Sequence, residues 1–270
     1  MKTRIISGAA LVVNLFLLLY WNETILLLAL YAMSIIGLIE YNKAIGNQHR
    51  PYYGLGIAAA TVYYALLFWN EKLITEGPWG MYLLVVVFLF MMIQVVMGYP
   101  NRRYEDGMLT VGGILYVPVL FSFIYFLRIR EFGFYYCWFI FWAAWGSDTC
   151  AYFAGKAFGK HKLVPKLSPK KTVEGAIGGV VGAMIICMAY GLVIRETVGL
   201  SVSTMLWISA GIGCAGAILG QTGDLFASSI KRFMGIKDYG KLIPGHGGIL
   251  DRFDSILLTG PAVVLVLMLL

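Results

Sequence analysis

Apolar residues in this chain gather into long runs, at 5–21, 23–41, 52–69, 79–98, 108–127, 132–153, 172–194, 203–224 and 251–270. Runs of roughly 17 to 22 residues match the length an α-helix needs to cross a hydrocarbon core about 30 Å thick. The pattern predicts an all-α fold, a polytopic helical membrane bundle of about nine transmembrane helices. The first two runs meet at Trp21, Asn22 and Glu23 with no longer connection between them. They form either a tight hairpin or one long bent helix, and the second alternative lowers the count to eight. Lys2 and Arg4 precede the first run in the manner of a signal peptide, yet no small-x-small cleavage site with a soluble stretch follows. That run is read as retained.

Composition agrees. Hydrophobic residues make up 60% of the 270, charged residues 13% and aromatics 15%, with a mean hydropathy of +0.78, which excludes an ordinary soluble domain. No internal repeat or low-complexity linker interrupts the runs. Cys137, Cys150, Cys187 and Cys214 sit singly in apolar sequence, which favours small buried hydrophobes over disulfides or zinc ligands.

Charge then orients the bundle. If the chain changes sides at every run, one side holds Lys2, Arg4, Lys43, Arg50, Arg102, Arg103, the six lysines from Lys156 to Lys171, Lys231, Arg232, Lys237, Lys241 and Arg252, seventeen of the 21 cations. The other side keeps Lys72, Arg128, Arg130 and Arg195. Cations accumulate on the cytoplasmic side, so the N-terminus is expected in the cytoplasm and the C-terminus outside. The net charge of +7 suits a surface facing anionic headgroups.

Three polar clusters interrupt the apolar second half. In WGSDTCAYFAGKAFGK, residues 145 to 160, Asp148 lies near the end of an apolar run. An aspartate there costs about 2.5 to 3.5 kcal/mol, so it marks either a functional group or a packing hydrogen bond between helices. In KLSPKKTVEGAIGG, residues 166 to 179, Thr172 is placed to cap a helix and Glu174 falls in its first turn. Free amides there, flanked by Ser168, Lys170 and Lys171, offer an anion site; a plain positively charged loop is the simpler alternative. Gly175, Gly178, Gly179 and Gly182 then favour close helix approach over a nucleotide fingerprint.

The third cluster spans residues 220 to 255. If the helix continues through 232, Asp224, Ser228 and Lys231 share one face. Pro244, Gly245, Gly247 and Gly248 turn the chain, and Asp251 and Asp254 stand three apart at the start of the last run. Two carboxylates on one face at a membrane boundary are a candidate magnesium site, although both also complement a helix dipole by a few tenths to about 1 kcal/mol each. His246 by itself reads as a loop histidine rather than a catalytic one.

Together these residues resemble a known signature. S-x-I-K-R at 228 to 232, K-D-x-G at 237 to 240 and P-G-H-G-G-x-x-D-R-x-D at 244 to 254 are similar to the phosphatidate cytidylyltransferases, also called CDP-diacylglycerol synthases. S-D-x-x-A-Y-F-x-G at 147 to 155 and S-P-K-K-T-x-E-G at 168 to 175 extend the resemblance, which covers roughly residues 145 to 255. It implies conversion of phosphatidate and CTP to CDP-diacylglycerol and pyrophosphate with a divalent cation, usually Mg2+. It also implies roles: Asp224, Asp251 and Asp254 as metal ligands, and Asp148 as a further ligand or an orienting group. Lys170, Lys171, Lys231, Arg232, Lys237 and Arg252 would contact phosphates, with Ser168 and His246 as hydrogen-bond partners. Lys171, with the three metal-binding aspartates, is expected to be catalytic.

The chain accordingly divides into residues 1–130, helices for packing, a lipid-cavity wall or contacts between copies, and a catalytic region, 131–270. A multi-pass enzyme of the cell inner (plasma) membrane is expected, with its site facing the cytoplasm, no nucleic-acid partner and, by the resemblance, a homodimer. A transporter of an anionic substrate is the alternative, but it would place ionisable groups along a path rather than at one face. A CDP-alcohol phosphotransferase would show a D-G-x-x-A-R spacing, which is absent.

Overall fold

A computed structural model describes residues 12–242, 245 and 247–269. The helices follow the apolar runs. Residues 12–20 form α1, the described part of the first run, and Glu23–Ile45 form α2. Asn22 is extended and its Oδ1 accepts the Thr24 N–H at 2.7 Å, so the helix restarts there and one continuous helix is excluded. Then come α3 (Tyr53–Asn70), the short α4 (Lys72–Thr75), α5 (Trp79–Met97) and α6 (Tyr104–Ile114). A π-helical turn, Leu115–Val119, contains Pro118 and joins α6 to α7 (Leu120–Arg128). Proline has no N–H for the regular ladder, and the widened turn absorbs it.

The second half holds α8 (Gly133–Phe158), α9 (Val173–Val198), α10 (Val202–Phe233) and α11 (Leu250–Met268). Five helical segments among the described residues are long and apolar enough to cross a membrane: Glu23–Ile45, Trp79–Met97, Tyr104–Arg128, Val173–Val198 and Val202–Phe233. One departure from an all-helical reading is a two-stranded antiparallel hairpin, β1 (Lys162–Val164) and β2 (Ser168–Thr172), built from the lysine-rich loop. Among the described residues, then, the regular structure is helical apart from one small hairpin.

Two compact units divide the chain, Met1–Tyr125 with Met234–Arg252, and Phe126–Phe233 with Phe253–Leu270. The segment 234–252 falls in the same unit as the N-terminal helices. Within the first unit, buried hydroxyls link helices: Ser34 Oγ and Tyr64 Oη are 2.9 Å apart, and Tyr63 Oη and Ser122 Oγ 2.8 Å. Such bonds satisfy polar groups that have no water to turn to. Within the second unit, α8 and α9 form the most extensive helix pair. Their approach depends on small residues, because a Cβ at Gly179 would lie 2.9 Å from the Ser147 carbonyl oxygen and 2.8 Å from Gln221 Nε2. The glycine run of α9 thus packs helices, as its composition predicts. The four cysteines are free.

Candidate active site

The lysine-rich segment does not stay a loose loop, because its two ends are tied to the first turn of α9. Val173 N–H donates to the His161 carbonyl at 2.9 Å, and Thr172 Oγ1 accepts the Gly175 N–H at 3.1 Å as the helix cap. Glu174 accepts the backbone N–H groups of Lys160 and His161, at 3.1 and 3.2 Å, and its Oε1 lies 2.6 Å from His161 Nδ1. The hairpin is therefore held against α9, and β2 presents Lys170 and Lys171 at a defined place.

That place is an open cavity of about 350 Å3 between α8, the hairpin, α9 and α10. Asp148, Tyr152, Lys156, Lys170, Lys171 and Gln221 line it. Lys171 Nζ stands 2.5 Å from Asp224 Oδ2, with both side chains half-buried. Such a pair leaves a cation and a carboxylate in a partly desolvated setting, where each acts more strongly on a bound polyanion than at a free surface. Asp224 is also an electrostatic neighbour of Asp148 and of Asp254, and Lys231 is one of Asp254. A Cβ on Gly223 would lie 2.5 Å from the Asp254 carbonyl oxygen, so glycine there lets the two backbones pass closely beside Asp224.

Gln221 fixes the frame of this cavity. Its Nε2 donates to Ser147 Oγ at 3.0 Å and to the Ala176 carbonyl at 3.1 Å, joining α10 to α8 and α9. Only a donor can face a carbonyl oxygen, which sets the orientation of the amide.

In the first unit, the turn before α11 is organised by two carboxylates. Glu40, buried in α2, accepts the Ile249 N–H at 3.1 Å on Oε1 and the Leu250 N–H at 3.0 Å on Oε2. A Cβ on Gly248 would lie 2.5 Å from Glu40 Oε2, so any side chain there would displace the carboxylate. Asp251, also buried, accepts the Tyr239 N–H at 2.8 Å and the Gly248 N–H at 3.0 Å, both on Oδ2. Gly247 adopts φ +90, a region closed to most side chains.

Residues 2–270 match a profile of the Cytidylyltransferase family. The chain belongs to that family. A phosphatidate cytidylyltransferase of Bacillus subtilis (strain 168) is 33% identical over 270 residues, 97% of this chain and 95% of the relative. One from Staphylococcus haemolyticus (strain JCSC1435) is 31% identical over 266 residues, 97% of this chain and 96% of its own. Another, from Staphylococcus aureus (strain COL), is 31% identical over 189 residues, 68% of this chain and 70% of the relative.

For a cytidylyltransferase the structure sorts the expected residues into groups. Asp148, Lys170 and Lys171 share the cavity of the second unit, and Asp224 pairs with Lys171. Asp254 is buried in the same unit, Lys231 half-buried and Arg232 exposed. Ser168 begins β2, opposite Val164. Asp251, Lys237 and Arg252 belong to the first unit, the last two exposed. His246 lies outside the described residues. The sequence reading missed Glu40 and Gln221. Both had a signal, since each is a polar residue inside an apolar run, the reason that singled out Asp148.

Proposed function

We propose that this cytidylyltransferase moves the cytidylyl group of CTP onto phosphatidate, giving CDP-diacylglycerol and pyrophosphate. A phosphate oxygen of the lipid forms a bond to the α-phosphorus of CTP as the bond from that phosphorus to the bridging oxygen of pyrophosphate breaks. Both substrates are polyanions, so the protein's task is neutralisation and alignment. The observation that carries the reading is the half-buried Lys171–Asp224 pair beside a cavity that Lys156 and Lys170 also line. Lys170 and Lys171 would hold phosphates, as would Lys231, Arg232, Lys237 and Arg252, with Ser168 and His246 as hydrogen-bond partners. The lipid phosphate is already ionised at neutral pH, so no protein base need activate it.

The donors fit a hard divalent cation such as Mg2+. Asp224, Asp254 and Asp148 offer carboxylate oxygens to one region, the ligand type such a cation selects. Among the described residues no three His, Cys, Asp or Glu side chains converge on a ready metal cage. Magnesium commonly binds one or two carboxylates and completes its shell with water and substrate phosphates. We assign Asp224 and Asp254 as the protein ligands and Asp148 as a further ligand or orienting group. Asp251, whose Oδ2 is held by two backbone N–H groups, first shapes the turn before α11. Bound there, the cation would neutralise charge developing on the phosphates.

The proposed setting is a plasma membrane enzyme of nine spans, its N-terminus and site on the cytoplasmic side, where CTP is supplied. Incubation of the purified protein with α-labelled CTP, phosphatidate and magnesium tests the reaction. Label should enter the lipid phase in a phosphatidate-dependent manner. Label that stays in CTP while the protein moves an anion across vesicles would instead favour the transporter reading.

A further inference from the structure

We propose that the first unit carries a binding site for an anionic phospholipid at the end of α5, built from residues with no assigned part in the reaction. An open cavity of about 530 Å3 there is lined by Tyr52, Tyr53, Leu55, Phe90, Gln94 and Arg102. Leu55 and Phe90 make an apolar wall, and Phe90 is exposed on a helix long and apolar enough to cross a membrane. Gln94, the one amide side chain of α5, lies within a turn of that helix's end. The cavity therefore sits where a span meets the water boundary. The Gln94 side chain makes no hydrogen bond among the described residues.

Arg102 is held beside it. Its Nη1 donates to the Arg50 carbonyl, and its Cζ lies 4.8 Å from the centroid of the Tyr52 ring. Residues 50 to 52 are themselves pinned to the start of α6: the Arg50 N–H donates to Asp106 Oδ1 at 2.8 Å, and the Tyr52 N–H to Thr110 Oγ1 at 2.9 Å. Asp106 is buried and gives its second oxygen to the Arg103 N–H at 3.0 Å. Among the described residues, Arg50, Arg102 and Arg103 form no ion pair.

A guanidinium has five N–H donors in a fixed fork suited to phosphate, and here the backbone and the Tyr52 ring take up only part of it. An anchored cation with unused donors, a free amide and an apolar wall at the membrane boundary match a lipid that presents a phosphate above acyl chains. A soluble phosphate would leave the apolar wall without a partner. The occupant is therefore an anionic glycerophospholipid.

Phosphatidylglycerol is the probe, because its phosphodiester is not the proposed reacting group. The full chain is reconstituted with equal phosphatidylglycerol and phosphatidylcholine, stripped in mild detergent, and the retained lipid read by native mass spectrometry. Wild type should keep phosphatidylglycerol in preference, and Arg102→Gln should lower that retention about fivefold, the effect of one interfacial cation. Gln94→Glu keeps size, sets a carboxylate beside Arg102, leaves its backbone anchors untouched, and should lower retention by at least as much. Gln94→Glu decides the outcome if Arg102→Gln does not fold. Arg195→Gln, outside the cavity, should retain lipid as wild type does. Equal retention of the two lipids, or undiminished retention in the folded cavity variants, would overturn the site. Displacement of the lipid by an equal concentration of glycerol 3-phosphate would overturn its assignment to a lipid.

Discussion

Glu40 Oε2 accepts the backbone N–H of Leu250 at 3.0 Å, joining α2 to the first residue of α11 across 210 positions of chain. With the Ile249 bond on the other oxygen, one buried carboxylate satisfies two of the amides that a helix N-terminus leaves open. The described residues 247–249 thus lead into α11 against a side chain from the N-terminal helices.

Removing that carboxylate should show in stability before chemistry. Glu40→Ala leaves two buried N–H groups without a partner, each worth about 1 to 3 kcal/mol, whereas Glu40→Gln keeps one oxygen and should cost less. Gly248→Ala should resemble Glu40→Ala, because its methyl group would press on the carboxylate. Thermal melting in detergent ranks the three. A wild-type melting temperature for Glu40→Ala would show that the two bonds contribute nothing.

Lys171→Ala removes the partner of Asp224 while leaving the hairpin ladder and the Thr172 cap in place. Turnover should fall about a hundredfold, the scale of losing one fixed electrostatic contact at a phosphate. Helicity by circular dichroism should not change, and added salt should not restore activity, since the cation's position matters as well as its charge. Normal kinetics in this variant would return the segment to a positively charged loop and nothing more.

Magnesium titrations separate the aspartates. Asp224→Asn and Asp254→Asn should raise the magnesium needed for half-maximal turnover, because an amide carries no charge to hold a hard cation. Asp251→Ala should chiefly lower stability, by about 1 to 3 kcal/mol for each amide left without a partner, since Oδ2 holds the Tyr239 and Gly248 N–H groups. Glu196→Gln, an exposed control, should alter neither. Unchanged magnesium dependence in both the Asp224 and Asp254 variants would remove the metal assignment.

Sidedness is read with reporters. A fusion after Leu270 should be active outside the cytoplasm and one inserted at Lys162 inside it, as the distribution of cations requires. The reverse pattern would separate the lysine-bearing hairpin from its CTP supply.

Helix positions were legible because apolar length is a local property. The runs at 79–98 and 172–194 coincide with Trp79–Met97 and Val173–Val198 to within a few residues, and no distant partner is needed to place them. The candidate site of the second half stood out for a similar reason: aspartates and lysines beside apolar runs are costly, so their clustering points to a function. Three-dimensional partners were another matter. Asp251 and Asp254 have equivalent spacing in sequence, yet Asp251 holds backbone amides of the turn while Asp254 lies near Asp224 and Lys231. Nothing in the order of residues ties Glu40 to Leu250, or Gln221 to Ser147 and Ala176. Those bonds join segments brought together by packing, and their strength comes from burial, which the tertiary fold alone creates.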